Sequence, residues 1–331
     1  MRRDSRPITC GALGVLLGAA SAAQAEPAVG QFELKDLEAE PGEIEFQSQN
    51  AWTFGNPRRR VALDPGGEPV FDTNAAARQR HALELEFSLT RWLRTRVGIE
   101  FEKERLDDPP SPAAADAMAP LQLTEIALEG VVILKPVPEG GGVGFGVLAE
   151  FEHALAPGEM HSINFGPIVA ARWGEWQTIA NIMLVHHFGA GEIEDDGGVE
   201  RDDKWDLAYA LQLKYDFDTT WALALEAYGT FDRLGETGQR SDGAEMFGDH
   251  DQHRAGPIVY YSWRQSTRAR RESRAHLSRR GAVGATFDDG DKPGAGDDDA
   301  GVTVTFGTGL LFGLNDNTPD ATLKASLEVE F

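Results

Sequence analysis

The chain ends in Ala321-Thr-Leu-Lys-Ala-Ser-Leu-Glu-Val-Glu-Phe331, where apolar and polar side chains alternate strictly. Successive side chains of a β-strand point to opposite faces, so this stretch has one apolar and one polar face. The apolar face carries Leu323, Ala325, Leu327, Val329 and Phe331, and the polar face carries Lys324, Ser326, Glu328 and Glu330. Such alternation is typical of a strand between lipid and a polar lumen. Because a bilayer does not tolerate unpaired backbone groups, the stretch predicts a sheet that closes on itself.

Similar alternation recurs along the rest of the chain. Apolar residues mark segments within 44–54, 83–89, 97–101, 126–134, 143–151, 163–173, 180–188, 205–215, 221–231, 257–263, 302–312 and 323–331. The pattern predicts an all-β protein, a closed antiparallel transmembrane barrel of about twelve strands over residues 42–331. Each strand has roughly ten residues, the length that a tilted strand needs to cross a bilayer. Long and short connections alternate, which predicts long extracellular loops and short periplasmic turns.

The first 25 residues have the three parts of a secretory signal peptide. A start with three arginines is followed by an apolar core over roughly 8–22 and by the small-x-small site Ala23-Gln24-Ala25. A retained membrane helix is the alternative, but the apolar run is short for one. We therefore expect residues 1–25 to be removed. Residues 26–41 are then predicted to form a short periplasmic segment ahead of the barrel.

The composition is strongly acidic and almost free of cysteine. The 54 acidic and 31 basic residues give a net charge of −23, and removing residues 1–25 leaves 53 and 28, a net charge of −25. Proteins that bind nucleic acid are usually basic, so no nucleic-acid partner is expected. Cys10, the only cysteine, lies in the signal peptide, so the mature chain is predicted to have no disulfide.

The C-terminal strand, ending in Phe331, resembles the last strand of Gram-negative outer-membrane β-barrels. This resemblance implies a location in the cell outer membrane, contact with outer-membrane lipid and lipopolysaccharide, and recognition of the final strand by the outer-membrane assembly machinery. The hairpin Gly309–Asp320 and the strand after it are similar to those of outer-membrane transporter-type proteins of aromatic-degradation clusters. That similarity favours a transport role and indicates no substrate.

Inward-facing positions of the predicted strands are mostly acidic. The predicted pore-lining residues are Glu45, Glu84, Glu86, Arg96, Glu100, Glu129, Glu150 and Glu226. A water-filled pore lined in this way would concentrate cations. Alternatively, these charges form ion pairs and fill a narrow barrel. The sequence thus leaves two main hypotheses, a channel for passive passage of small polar or cationic solutes and a non-conducting structural or interaction barrel. A soluble β-sandwich or lipocalin-like periplasmic protein is a third.

The tryptophans fall at the ends of the predicted strands. Trp92, Trp173, Trp176, Trp221 and Trp263 are assigned to the periplasmic side, and Trp52 and Trp205 to the outer side. Indole rings favour the membrane–water boundary, where an apolar body and a polar N–H are both satisfied. The five periplasmic tryptophans are therefore predicted to form an aromatic girdle.

Residues 264–300 break the alternation of long and short connections, because a short turn is expected at this point. The stretch is basic in its first part and acidic and Gly-rich in its second. A disordered insertion is predicted. The alternatives are a periplasmic arm that contacts peptidoglycan or a partner, and a further strand at Ala282–Phe287. No catalytic residue, metal site or cofactor is predicted. The Asp249–His253 cluster lacks defined ligand spacing, and no nucleophile motif surrounds Ser162.

Overall fold

The computed structural model describes residues 32–55, 60–63, 69–71, 76–104, 118–155, 159–189, 192–193, 199–200, 203–234, 237, 251–265, 301–315 and 318–331. The strands are β1 Ile44–Phe54, β2 Arg60–Leu63, β3 Pro69–Phe71, β4 Ala76–Thr90, β5 Leu93–Glu104, β6 Gln122–Lys135, β7 Gly142–Ala154, β8 His161–Trp173, β9 Trp176–Phe188, β10 Glu192–Ile193, β11 Val199–Glu200, β12 Lys204–Asp216, β13 Trp221–Phe231, β14 Gln252–Gln265, β15 Val302–Gly313 and β16 Ala321–Glu330.

Twelve of these strands form one closed barrel, in the order β1-β16-β15-β14-β13-β12-β9-β8-β7-β6-β5-β4. Neighbouring strands are antiparallel, and the barrel closes where the first strand pairs with the last, from Glu45 opposite Glu330 to Phe54 opposite Ala321. The predicted closed antiparallel barrel of twelve strands is confirmed. Two short hairpins, β2–β3 and β10–β11, lie in long connections and were not predicted.

The connections differ between the two ends of the barrel. Residues 91–92, 174–175 and 217–220 form tight turns at one end, where β1 begins and β16 finishes. We call this the short-turn end and the opposite one the long-loop end. Gly174 has a φ of +61°, a left-handed conformation that glycine adopts without steric cost, so the turn between β8 and β9 fits in two residues.

The two faces of the wall have opposite chemistry. Outward side chains are large and apolar, and Leu128 and Leu225 are each 58% exposed. Inward side chains are buried and often charged, among them Glu84, Arg96 and Lys324. In β16, Lys324 and Ser326 are buried on the inner side, whereas Leu323 and Leu327 belong to neither internal apolar cluster. This arrangement is opposite to that of a soluble sandwich, whose apolar side chains would pack in the centre.

Several predictions fall at the limits of the described chain. The predicted insertion began at residue 264, but Arg264 and Gln265 belong to β14, because they continue the pairing with Thr303 and Val302. Residues 266–300, with the alternative strand at 282–287, lie outside the described residues, as do the signal peptide and Asp249. No helix in the described part of the chain is long and apolar enough to span a bilayer.

Candidate functional site: the barrel lumen

Residues 32–40, here called the lumenal segment, lie inside the barrel. Phe32 and Leu37 are 3% and 2% exposed and are buried among inward-facing side chains. The prediction that residues 26–41 form a segment ahead of the barrel is therefore wrong for its described part. The physical reason is that the segment gains two kinds of contact inside the barrel that it would lack in water. It buries apolar side chains there, and its charged side chains pair with those of the lumen.

Two apolar anchors hold the lumenal segment. Leu37 belongs to one cluster with Val131, Ile133, Leu148, Ile168, Ala170, Met183, Val185 and Ala208, and Phe32 to another with Ala51, Ala82, Ala210, Tyr228, Ile258 and Leu311. The Phe32 ring meets Tyr228 edge-on at 5.4 Å, with Arg254 at 4.8 Å from its centroid. Burying each anchor contributes about 1.5–3 kcal/mol.

Glycine at position 146 makes room for one of these anchors. A Cβ at Gly146 would lie 2.5 Å from Cδ2 of Leu37 and 3.0 Å from the carbonyl oxygen of Val132. Gly146 and Leu37 therefore fit one another, and any larger residue at position 146 would displace the segment or the wall.

A buried ionic cluster holds the charged residues of the lumenal segment. Arg96, 2% exposed, contacts Glu33 of the segment, Glu84 at 2.8 Å and Glu129. Lys35 of the segment also contacts Glu33 and lies 3.0 Å from Glu129. Buried charges are tolerated only when they are paired and hydrogen-bonded. The segment thus contributes both a carboxylate, Glu33, and a second cation, Lys35, to this cluster.

The segment's backbone is bound by side chains and belongs to no strand. Asn181 accepts from the Lys35 N–H and donates to the Lys35 carbonyl, both at 2.8 Å. Arg94 donates to the carbonyl of Glu38 at 2.8 Å and to that of Asp36 at 3.0 Å. Arg94 also pairs with the Asp36 carboxylate at 2.8 Å. We call the inner surface of β4 to β9, which carries these groups, the gripping wall.

On the other side of the lumen, Glu226 forms the centre of a second network. Its side chain is fully buried and accepts from Lys324 at 2.8 Å, from Gln212 at 2.8 Å, from the Tyr228 hydroxyl at 2.5 Å and from Tyr260. Lys324 also donates to the Tyr228 hydroxyl at 2.7 Å. This carboxylate is thus fully satisfied by residues of the barrel itself.

Further polar pairs fill the lumen towards the long-loop end. Lys204 lies 2.6 Å from Asp232 and 3.1 Å from Asp206, and His187 lies 3.0 Å from Asp206. Arg254 donates to Thr322 at 2.9 Å. These contacts add to the packing that the lumenal segment provides inside the barrel.

A cavity of about 660 Å³ lies at the short-turn end, between the lumenal segment and the wall. It is lined by the segment and by residues of several strands, including Glu45, Gln47, Gln49, Lys214, Glu328 and Glu330. The inner surface of β1 and β16, which carries five of these six, is called here the seam wall. The cavity separates this wall from the segment, whereas the gripping wall both lines the cavity and binds the segment.

All eight residues predicted to line a pore lie on the inner face of the barrel. Glu84, Glu86, Arg96 and Glu129 surround the lumenal segment, and Glu226 belongs to the second network. Glu100 lies 3.6 Å from Arg80, Glu150 accepts from Asn164 at 3.2 Å, and Glu45 accepts from Gln47 at 2.8 Å. Most of these side chains therefore contact a cation or an amide of the barrel, and they do not form an open ring of like charges.

Four residues that hold the segment were not predicted from the sequence: Lys35, Leu37, Arg94 and Asn181. The alternation Phe32-Glu33-Leu34-Lys35 indicated an extended segment with one apolar side. A stretch this short cannot cross a bilayer as a strand, so the alternation alone does not place it in the barrel.

The five tryptophans of the predicted girdle all lie at the short-turn end. Trp173, Trp176, Trp221 and Trp263 are between 41% and 51% exposed, and Trp92 is 56% exposed in the turn after β4. Their outward position matches that expected of side chains at a membrane boundary.

The fold and the lumen define an outer-membrane type of β-barrel, apolar outside and charged inside. The structure is similar to that of the COG4313 outer membrane channel from Pseudomonas putida F1, with 12% identity, a TM-score of 0.53, and coverage of 90% of this chain and 98% of that chain. The translocator domain of autotransporter NalP from Neisseria meningitidis gives 8% identity, a TM-score of 0.40 and coverage of 88% of both chains. A Pseudomonas aeruginosa FadL homologue gives 8% identity, a TM-score of 0.37, and coverage of 88% of this chain and 90% of that chain.

These likenesses concern the fold. No protein-family model matches the chain, and no curated protein matches it by sequence.

Proposed function

We propose that this protein is an outer-membrane channel for small polar or cationic solutes, which conducts when the lumenal segment moves aside. Water and ions would then pass between inward-facing side chains that are mostly acidic. In such a pore the excess of carboxylates concentrates cations and retards anions. The similarity in fold to a bacterial outer-membrane channel supports this proposal.

The observation that carries the proposal is the way in which the segment is held. Side chains bind its backbone, through Asn181 and Arg94, while the barrel closes through pairing of β1 with β16. Removing the segment therefore breaks none of the pairing that closes the barrel. A filler that is separable from the wall is what a channel with a movable plug requires.

The second candidate is a non-conducting structural or interaction barrel. It is favoured by the extent of ion pairing inside, because Arg96 and Glu226 are both buried in complete networks. In this case the lumenal segment would be a permanent part of the core, and the function would lie in the outer loops or in residues 266–300.

The proposal includes a location in the cell outer membrane. The exposed apolar band would contact outer-membrane lipid, and the loops would contact lipopolysaccharide. The girdle of Trp92, Trp173, Trp176, Trp221 and Trp263 would lie at the periplasmic boundary. The assembly machinery would bind the last strand, in which Phe331 is 61% exposed and donates its N–H to the Ile44 carbonyl at 2.9 Å.

Single-channel recording tests the channel proposal. The mature chain and a variant without residues 32–40 are refolded and inserted into planar bilayers. The expected result is a small or intermittent cation-selective conductance for the complete chain and a larger, steadier one for the shortened chain. If both remain silent although the SDS band shifts on heating, as a folded barrel requires, the channel proposal is rejected and the structural barrel is favoured.

Gly146→Ala tests the same point without shortening the chain. Its Cβ would lie 2.5 Å from Cδ2 of Leu37 and 3.0 Å from the Val132 carbonyl oxygen, so it should loosen the lumenal segment and raise the conductance. Gly130→Ala is the matched control, because a Cβ there meets no atom within 4 Å, and it should conduct as the wild type does.

A further inference from the structure

We propose that the cavity at the short-turn end is a binding site for linear organic cations that carry amino groups, formed by the seam wall. The inference rests on the proposed function, because it names the class of solute that the channel would hold on its path. It depends on three observations concerning charge, counter-ions and an unpartnered amide oxygen.

The first observation is a row of carboxylates on neighbouring strands. Glu45 of β1 is directly opposite Glu86 of β4 on one side and Glu330 of β16 on the other. Side chains at directly opposed positions lie close together, and like charges there are destabilising. One step further along, Glu328 lies opposite Gln47. The row is therefore a place where a bound cation would relieve repulsion.

The second observation is that the cations lining the cavity are already engaged. Lys35 contacts Glu129, Arg94 contacts Asp36 and Glu86, and Lys324 contacts Glu226. The two remaining cations also face carboxylates, Arg172 with Glu38 at 3.3 Å and Lys214 with Asp216 at 3.6 Å. In the described part of the chain, no salt bridge joins Glu45 or Glu328 to a cation.

The third observation is independent of the carboxylates and indicates a hydrogen-bond donor. Gln49 lines the cavity and is 4% exposed, yet its side-chain oxygen has no hydrogen-bond partner. Gln49 donates to the Gln47 oxygen at 3.3 Å, and Gln47 donates to Glu45 at 2.8 Å. This relay directs both amide donors towards Glu45 and leaves the Gln49 oxygen as an acceptor without a donor. A buried acceptor left in this state is unfavourable.

The spacing of these acceptors indicates the shape of the ligand. Glu45 and Gln49 are four residues apart on one strand, which corresponds to about 13 Å. A cation with N–H donors near both ends can contact the carboxylate row and the Gln49 oxygen together. The cavity of about 660 Å³ is large enough for such a molecule. A single metal ion bound by the carboxylates would be too far from the Gln49 oxygen, at a spacing of about 13 Å, to contact it as well.

Calorimetric titration of the refolded full chain with spermidine tests the site. We expect saturable binding to the wild type at low salt. Weakening of about tenfold or more is expected in the double variant Glu45→Gln/Glu328→Gln, because charge-assisted hydrogen bonds are lost. Gln49→Leu should weaken spermidine binding several-fold and leave Mg²⁺ binding unchanged. The heat-dependent SDS band shift confirms folding, and Glu328→Gln alone replaces the double variant if that one does not fold.

Glu152→Gln is the matched control, because Glu152 is a buried inward carboxylate that is bonded to Ser162 and Asn164 and does not line the cavity. It should bind spermidine as the wild type does. Absence of spermidine binding to the wild type at millimolar concentration overturns the inference, as does an equal loss in Glu152→Gln. Equal effects of Gln49→Leu on Mg²⁺ and spermidine also overturn it.

Binding and conductance separate this inference from the proposed function. Spermidine binding to a barrel that stays silent in bilayers, even without residues 32–40, would leave the site standing and reject the channel. A conducting barrel that binds no spermidine would leave the channel standing and reject the site.

Discussion

The gripping wall and the seam wall of the lumen both carry acidic residues, but those of the gripping wall are paired with cations and those of the seam wall are not. On the gripping wall, Arg96 is surrounded by three carboxylates, and the lumenal segment supplies Lys35 as a second cation. On the seam wall, Glu45 is directly opposite Glu330, no salt bridge within the described chain reaches Glu45, and a cavity separates this wall from the segment. Inward acidic residues thus stabilise the barrel where they are paired and repel one another where they are not.

The largest effect is expected from Arg96→Ala on the gripping wall. The substitution leaves Glu33, Glu84 and Glu129 without their main counter-ion in a buried site, and breaking such a group typically costs about 3–5 kcal/mol. Urea unfolding of the refolded protein in lipid vesicles, followed by tryptophan fluorescence, measures the free energy of unfolding.

Arg172→Ala is the control for this substitution. Its side chain is 39% exposed and pairs with Glu38 at 3.3 Å, and surface pairs contribute only about 0–1 kcal/mol. If the two alanine variants lose the same stability, the buried cluster around Arg96 has no special energetic role.

The next largest effect is expected from the apolar contact that Leu37 makes with the gripping wall. Leu37→Ala should weaken docking of the lumenal segment by about 2–4 kcal/mol, because it removes a buried side chain and leaves a cavity. The barrel pairing itself remains intact, so the fraction of time spent in the open state should rise in bilayer recordings. Leu128→Ala, at an outward position that is 58% exposed, is the control and should leave this fraction unchanged. An unchanged open fraction in Leu37→Ala would show that the segment does not control conduction.

This contrast between the walls explains what the sequence could predict. Strand alternation depends on which side of the sheet a residue faces, so it was sufficient to predict all twelve barrel strands and the inward position of Glu84 and Arg96. It contains no information on which inward residues meet, because the lumen brings together strands that are far apart in sequence. Asn181 and Lys35, for example, are separated by 146 positions and bind each other's polar groups.

The position of the lumenal segment could not be predicted from strand alternation either. Arg94 and Asn181 bind the Lys35 N–H and the carbonyls of Lys35, Asp36 and Glu38, so the segment is held without a strand partner and gives no pairing signal in the sequence. The Leu37 pocket is likewise formed by residues on β6, β7, β8, β9 and β12, a combination that only the closed barrel assembles.

A smaller effect is expected in the second network, where the barrel alone supplies all partners. Glu226→Gln should cost about 1.5–3 kcal/mol, because Lys324 loses its charged partner while the shape of the side chain is kept. Adding Lys324→Met should recover part of the loss, since replacing both members of a buried pair is often nearly neutral. The same urea titrations measure both variants. A double variant that is less stable than Glu226→Gln would mean that Lys324 stabilises the barrel mainly through Tyr228.

The smallest effect should have the opposite sign. Glu328→Gln on the seam wall removes one carboxylate from a site where Glu45 and Glu330 are close and no salt bridge reaches Glu328 within the described chain. Relief of this repulsion should raise the free energy of unfolding by about 0.2–1 kcal/mol. The gain should shrink only partly as salt is added, because partly buried charges are screened much less than exposed ones. A loss of stability in Glu328→Gln at low salt would mean that the seam-wall carboxylates are compensated as fully as those around Arg96, and the distinction between the two walls would then fail.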